Sequence, residues 1–232
     1  MTRSRIILLP GLDGTGDLLV PLLAAASRDL SIRVISYPLD EPLTYDDLLK
    51  IIEVQLADEP QMILIAESYS GPLSVRYAAA NPQRVQALVL CASFIRSPVP
   101  SWLRIFASSI LFRLPLPNFA IRHFLLGCDA SYELVQTVKR AIRKVRPRVL
   151  ARRIQDVFDV DCAEPLKNCR VPILYLAAAQ DALVRRSSVD SIREIRPDVS
   201  IRTIDGPHLL LQRHPHEALQ GIERFLAEIQ RT

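Results

Sequence analysis

The feature that most constrains this chain is a rhythm running through its 232 residues. Short, largely apolar runs alternate with stretches of helical spacing. The runs are Ile6 to Leu9, Ile32 to Ser36, Met62 to Ala66, Val85 to Cys91, Val171 to Ala177 and Val199 to Ile204. Helical spacing follows at Asp17 to Ser27, from Thr44 with Asp46 and Asp47 in its first turn, at Ser68 to Ala80, at Ser187 to Ile195 and at His216 to Ile229. A strand that is apolar at every position is buried on both faces, and strands alternating with helices are joined as crossovers. The predicted fold class is therefore α/β: a doubly wound, mostly parallel six-stranded sheet covered by helices on both sides.

One connection breaks the rhythm. Almost eighty residues separate the fourth run from the fifth, far beyond an ordinary crossover. Within them, Ser101 to Leu114, Phe119 to Leu126, Ser131 to Val145 and Val149 to Phe158 have helical spacing. We read residues 96–168 as a helical cap inserted into a core formed by residues 1–95 and 169–232. The cap also concentrates charge, with 14 Lys and Arg against 6 Asp and Glu over residues 96–171, whereas residues 1–95 carry 7 against 11. Lys139, Arg140, Arg143, Lys144, Arg146, Arg148, Arg152 and Arg153 form an acid-free run, read as a solvated cap face. An anionic acyl carrier or acidic lipid headgroups are the other readings; nucleic acid ranks last because aromatic residues for base stacking are missing from the run.

Composition closes several other routes. At 49% hydrophobic and 23% charged residues, the chain is no disordered tail, collagen or disulfide-dense miniprotein. The cysteines, Cys91, Cys128, Cys162 and Cys169, contain no CxxC pair and fit a reducing compartment. Pro10, Gly11, Asp13 and Gly14 interrupt the first apolar run too early for a signal peptide, and no stretch of 18 apolar residues suggests a membrane span. The expected location is the cytoplasm. His214 and His216 flank Pro215 without a Cys or Glu set that would suit zinc, so no metal is expected.

Three segments carry the chemistry. The run Ile63 to Ala66 passes through Glu67 directly into Ser68, Tyr69, Ser70 and Gly71. A turn this tight between strand and helix exposes the serine Oγ at a helix N-terminus, where the dipole and the Tyr69 N–H favour developing negative charge. A serine at such a junction also serves as a plain N-cap. The loop Pro10 to Gly16 follows the first strand and emerges at the same carboxyl edge, where open α/β sheets bind ligands. There Gly11 frees the backbone to aim the Leu12 N–H inward as a second oxyanion donor. A phosphate loop is the rival, but the Lys-Ser/Thr of a P-loop is missing and the G-x-x-G-x-G order does not match the dinucleotide fingerprint. Asp13 contacts substrate or holds the turn. Lastly, Asp181 follows the fifth strand and His208 the sixth, so both project onto the edge that carries Ser68. In this order His208 takes the Ser68 proton and Asp181 orients His208.

Leu9, Pro10 and Gly11, the Ala66 to Gly71 turn, Asp181 to Val184 and Gly206 to Leu211 together resemble the α/β-hydrolase superfamily over nearly the whole chain. Leu12 to Gly16 with Glu67 and Ser68 also resembles the esterase-lipase-acyltransferase branch that includes plant phytyl ester synthases. Two residues depart from the pattern: Glu67 stands where many relatives carry histidine, which bears on substrate preference, and Pro207 replaces a frequent small residue, which bears on fine geometry. The resemblance implies the α/β-hydrolase fold in a compact version, ester chemistry and no metal or organic cofactor. The expectation is a serine hydrolase acting on a small ester with an apolar acyl group, with Ser68, Asp181 and His208 as triad and Leu12 and Tyr69 as oxyanion donors. Trp102 and Phe106, with Asp13, line the substrate pocket or only join cap to core. The alternatives are an acyltransferase or thioesterase using acyl-CoA or an acyl carrier, and a non-catalytic binding protein of the same fold.

Overall fold

The computed structural model describes residues 5–100, 110–114 and 116–231. Its strands are β1 (Arg5–Leu9), β2 (Ile32–Val34), β3 (Met62–Glu67), β4 (Val85–Cys91), β5 (Ile173–Ala178) and β6 (Ser200–Ile204). They form one sheet in the order β2-β1-β3-β4-β5-β6, and every pairing is parallel. The helices are α1 (Val20–Ala25), α2 (Tyr45–Gln55), α3 (Gly71–Ala80), α4 (Asn118–Ile121), α5 (Tyr132–Lys144), α6 (Pro147–Asp159), α7 (Ala163–Asn168), α8 (Arg186–Ile195), α9 (Leu210–Arg213) and α10 (Pro215–Ile229).

Side-chain alternation explains why the inner strands β1, β3, β4 and β5 are almost wholly apolar. Ile7 and Leu9 of β1, with Met62, Leu64 and Ala66 of β3, enter a core shared with Leu48 and Ile52 of α2, Leu73 of α3, Leu166 of α7 and Ile192 of α8. The intervening Ile6, Leu8, Ile63 and Ile65 enter a second core with Leu22 of α1, Leu210 of α9 and Ile222 of α10. Both faces are thus covered, as period-two side chains on a doubly wound sheet require.

Local chemistry sets the boundaries. Thr44 caps α2 through a capping box with Asp47: the Thr44 Oγ1 accepts from the Asp47 N–H, and the Asp47 carboxylate accepts from the Thr44 N–H. Strand β5 begins at Ile173 rather than Val171 because Pro172 has no N–H; only its carbonyl joins the ladder, accepting from Leu88 N–H at 2.9 Å. Pro215 opens α10 at its first turn.

Between β4 and β5 the described chain is mostly helical from Asn118 onward, after an extended stretch in which Arg96 forms an isolated antiparallel bridge with Asp161. Phe119 to Leu126 divides into α4 and a π turn at Arg122–Leu126, ended by Gly127 at φ 84°. Ile121, Leu126, Val135 and Val138 form a small core of their own, closed by Leu18 and Leu209 from the sheet side. Helix α7 instead packs on α3 and α8, in the layer beneath the sheet. Trp102, Phe106 and most of the helix expected over Ser101 to Leu114 lie outside the described residues.

The strand order places the site. The chain lays β2 on one side of β1, then crosses to place β3 on the other. The carboxyl ends of β1 and β3 therefore meet at a topological switch, where the outgoing loops diverge and leave a crevice. The loop bearing Leu12 and the turn bearing Ser68 open into it.

Candidate active site

Strand β3 hands directly to a short 3₁₀ turn, Ser68–Ser70, and then to α3. Ser68 sits at φ 48°, in the left-handed region that a residue with a Cβ rarely occupies. Such strain, about 1–3 kcal/mol, persists only when the surroundings hold it. Ser93, just after β4, donates its Oγ–H to the Ser68 carbonyl at 2.6 Å. Gly71 allows this approach: a Cβ built on it would stand 1.8 Å from Ser93 Oγ. The small residue that matters most at this turn is therefore Gly71. Ser70 has another task, sharing a 2.6 Å hydrogen bond with the Tyr37 hydroxyl and donating to the Pro10 carbonyl.

His208, on the loop after β6, places Nε2 2.9 Å from Ser68 Oγ. Its Nδ1 lies 2.8 Å from Asp181 Oδ2. The other carboxylate oxygen, Asp181 Oδ1, accepts the N–H groups of Leu183 and Val184, each at 2.8 Å. That arrangement selects a tautomer. A carboxylate can only accept, so Nδ1 carries the proton and Nε2 is left as an acceptor for the Ser68 hydroxyl. The Asp181 and His208 side chains are 3% and 4% exposed, whereas Ser68 is half-buried. The geometry can thus move a proton from Ser68 Oγ to His208 while Asp181 holds the imidazolium.

The loop after β1 lies over Ser68: the position a Cβ would take on Gly11 is 4.0 Å from Ser68 Cβ. Gly11 itself needs no special backbone, and that added Cβ would meet Glu67 Oε2 only at 3.4 Å, ordinary contact. Positive φ falls instead on Gly14 and Gly16. The turn therefore rests on the later glycines and on a bond from Gly14 N–H to the Gly11 carbonyl at 3.0 Å. Asp13 is buried, and its carboxylate accepts from both the N–H and the hydroxyl of Thr15, which ties it to the turn. Leu12 stands half-buried beside Val149 and Leu150 of α6.

One further charged residue of this region, Arg153, was not assigned there from sequence. Arg153 is 1% exposed, which corrects its place in the solvated basic run. Its guanidinium donates to the carbonyls of Leu12 and Asp13, each at 2.8 Å, and of Pro38 at 2.9 Å. The signal was present: Val149, Arg153 and Val157 recur at intervals of four on the buried face of α6. Elsewhere in the run, Arg140, Arg143, Lys144, Arg146 and Arg148 are exposed as expected.

Glu67 is also 1% exposed, with Oε2 accepting from the Gln212 amide at 3.2 Å. Burial pushes its pKa up to about 7; Gln212 and His208 pull it down, and Asp13 adds to the rise. Among the described residues neither Glu67 Oε1 nor Gln212 Oε1 has a hydrogen-bond partner. A proton on Glu67 supplies the donor this pair lacks.

Among the described residues, no group of three or more His, Cys, Asp or Glu is placed to hold a metal ion. His214 shares a hydrogen bond with Glu217 at 3.2 Å. No described helix is long and apolar enough to cross a membrane. The four cysteines are free thiols, with Cys128 exposed and Cys91, Cys162 and Cys169 buried.

Comparison with known proteins adds to this geometry. The sequence profile of the Alpha/beta hydrolase family matches residues 6–220. Phytyl ester synthase 1, chloroplastic, of Arabidopsis thaliana is 31% identical over 103 residues, covering 40% of this chain and 15% of that protein. Biotin biosynthesis bifunctional protein BioHC of Cellvibrio japonicus is 23% identical over 248 aligned positions, covering 97% of this chain and 48% of that protein. The chain thus spans half or less of the length of these relatives. Among solved structures, the enol-lactonase from Burkholderia xenovorans LB400 superposes with a TM-score of 0.79 at 17% identity, covering 98% of this chain and 92% of that one.

Proposed function

The chain belongs to the alpha/beta hydrolase family, and from that premise we propose that it is a serine hydrolase cleaving carboxylic esters with an apolar acyl group. The observation that carries the reading is the continuous relay from Ser68 Oγ through His208 to Asp181, at 2.9 and 2.8 Å. Ser68 Oγ attacks the ester carbonyl as its proton passes to His208 Nε2. The carbonyl oxygen, now an oxyanion, is held by the N–H groups of Leu12, on the loop after β1, and of Tyr69, in the turn that leads into α3. His208 then protonates the leaving alcohol, which departs and leaves an acyl group on Ser68. Water enters, gives a proton to His208 and releases the acid, and the proton returns to Ser68. Asp181 accepts the His208 Nδ1–H throughout and so keeps the ring oriented.

Residues 96–168, apart from α7, serve in this reading as a helical cap over the crevice, and Trp102 and Phe106 are proposed for the acyl pocket from the sequence alone. Asp13 holds the oxyanion loop rather than the substrate, which its two bonds to Thr15 support. The free thiols fit a reducing compartment, the cytoplasm.

A second reading has the acyl group pass to an alcohol other than water, or come from a thioester. The relationship to an ester synthase over 103 residues favours keeping it. Rates on p-nitrophenyl esters of graded chain length, measured with and without an added long-chain alcohol, separate the two. Hydrolysis lost in Ser68→Ala, with free acid as the main product, supports the hydrolase. Ester product formed faster than acid establishes the transferase. Full turnover in Ser68→Ala overturns both.

A further inference from the structure

Arg153 is the largest of the fully buried side chains among the described residues. Putting a cation out of water is costly unless strong acceptors surround it. Three backbone carbonyls do so here: those of Leu12, Asp13 and Pro38. The guanidinium also lies over the Tyr37 ring, 5.6 Å from its centroid. Burial draws its pKa down, yet an arginine remains charged at any working pH. Gly14 makes the room: at φ 67° it needs no Cβ, and one added there would stand 2.6 Å from an Arg153 nitrogen.

The same helix reaches the other proposed oxyanion donor. One turn after Arg153, the Asp156 carboxylate accepts the Tyr69 hydroxyl at 3.3 Å and pairs with Arg152. Tyr69 is fixed from its other side by Tyr45, which stacks on it at 4.7 Å and donates its hydroxyl to the Tyr69 carbonyl at 2.9 Å. Helix α6, which belongs to the segment inserted between β4 and β5, therefore grips both residues whose N–H groups face the proposed oxyanion.

We propose that Arg153 is a positioning residue for the oxyanion hole, holding the Leu12 and Asp13 carbonyls so that the Leu12 N–H points at the reacting carbonyl. The inference rests on the hydrolase reading given above. Holding the Leu12 and Asp13 carbonyls fixes the Asp13 dihedrals and the Asp13–Gly14 peptide plane; the Gly14 N–H of that plane bonds the Gly11 carbonyl at 3.0 Å, whose own peptide plane carries the Leu12 N–H, and an N–H aimed in advance stabilises a developing charge without reorganising. A purely structural arginine on α6 needs only to be satisfied; this one is satisfied by the very loop that must be aimed. It also makes the inserted segment part of the catalytic geometry rather than a removable lid.

The test uses the full chain carrying Arg153→Lys and Arg153→Gln, each checked for native circular dichroism and a cooperative melt. Lysine keeps the charge but loses the planar fork that spans several carbonyls. For a folded variant, kcat on p-nitrophenyl butyrate is expected to fall about tenfold to a hundredfold, with KM within about twofold. Affinity for a trifluoromethyl ketone, whose adduct carries the oxyanion, falls by the same factor. Methylguanidine restores part of the lost kcat in Arg153→Gln but not in the parent protein. A folded variant with unchanged kcat and ketone affinity overturns the proposal, as does a loss confined to KM. Failure of both variants to fold makes Arg153 structural and overturns it too. Turnover that persists in Ser68→Ala marks failure of the hydrolase reading, which these outcomes do not mimic.

Discussion

Replacing Glu67 by glutamine converts a buried titratable group into a permanently neutral one of the same shape. The size of the effect follows from the site. Burial lifts the Glu67 carboxyl from the ordinary glutamate value of 4.5 to about 7. Between those values the folded chain keeps a proton that the unfolded chain gives up. The unfolded state binds fewer protons there, so stability falls as pH rises through that window, and the loss is complete above pH 7. At 1.36 kcal/mol for each pH unit the full difference is on the order of 3 kcal/mol. Glu67→Gln removes this dependence. Relative to the parent, the variant should be nearly equal at pH 4 and gain about 3 kcal/mol by pH 8, or roughly 6–12 °C in Tm for a chain of this size. Urea unfolding of both proteins across pH 4 to 8 measures it, and taking their difference cancels every group they share. A difference that stays flat with pH refutes the reasoning. One that grows toward acid, with the parent more stable at pH 8, shows that the ionised carboxylate is the favoured form.

Other outcomes follow from the same geometry. Asp181→Asn places an amide where two backbone N–H groups and the His208 Nδ1–H all need an acceptor; kcat for p-nitrophenyl acetate should fall roughly 10⁴-fold, with the melting temperature little changed. Gly71→Ala drives a methyl into Ser93, 1.8 Å from its Oγ, and should cost about 2–3 kcal/mol together with most of the activity, read by calorimetry and by ester turnover. Ser93→Ala removes the bond to the Ser68 carbonyl without new bulk; it should lower stability by about 1 kcal/mol and reduce kcat more than it raises KM.

Much of the sheet was legible because its strands are buried on both faces. Continuous apolar runs such as Ile63 to Ala66 leave no alternative to a central strand, and the observed β3 adds only Glu67. The weaker edge was less so: β2 ends at Val34 rather than Ser36, since an edge strand pairs on one side only. The order of Ser68, Asp181 and His208 along the chain was readable because each follows a strand, and parallel strands deliver their carboxyl ends to one rim. Glycine roles were harder. Gly11, Gly14 and Gly16 look alike in sequence, while the backbone twist falls only on the last two. Arg153 shows the limit of reading charge by composition. It follows Arg152 directly and differs from it by one step around the helix, which takes it from a half-exposed flank into the core. Its carbonyl partners lie more than a hundred residues away in the chain, and no local pattern points to them.

The central claim is that Ser68 becomes acylated. Rapid mixing of the full chain with p-nitrophenyl butyrate, acid quench and peptide mass spectrometry measures it directly. The account predicts a butyryl mass increase on the peptide containing Ser68, formed within a burst of p-nitrophenol and abolished in His208→Ala. Turnover without any acylated Ser68, or an acyl group carried stably on a different residue, would contradict it.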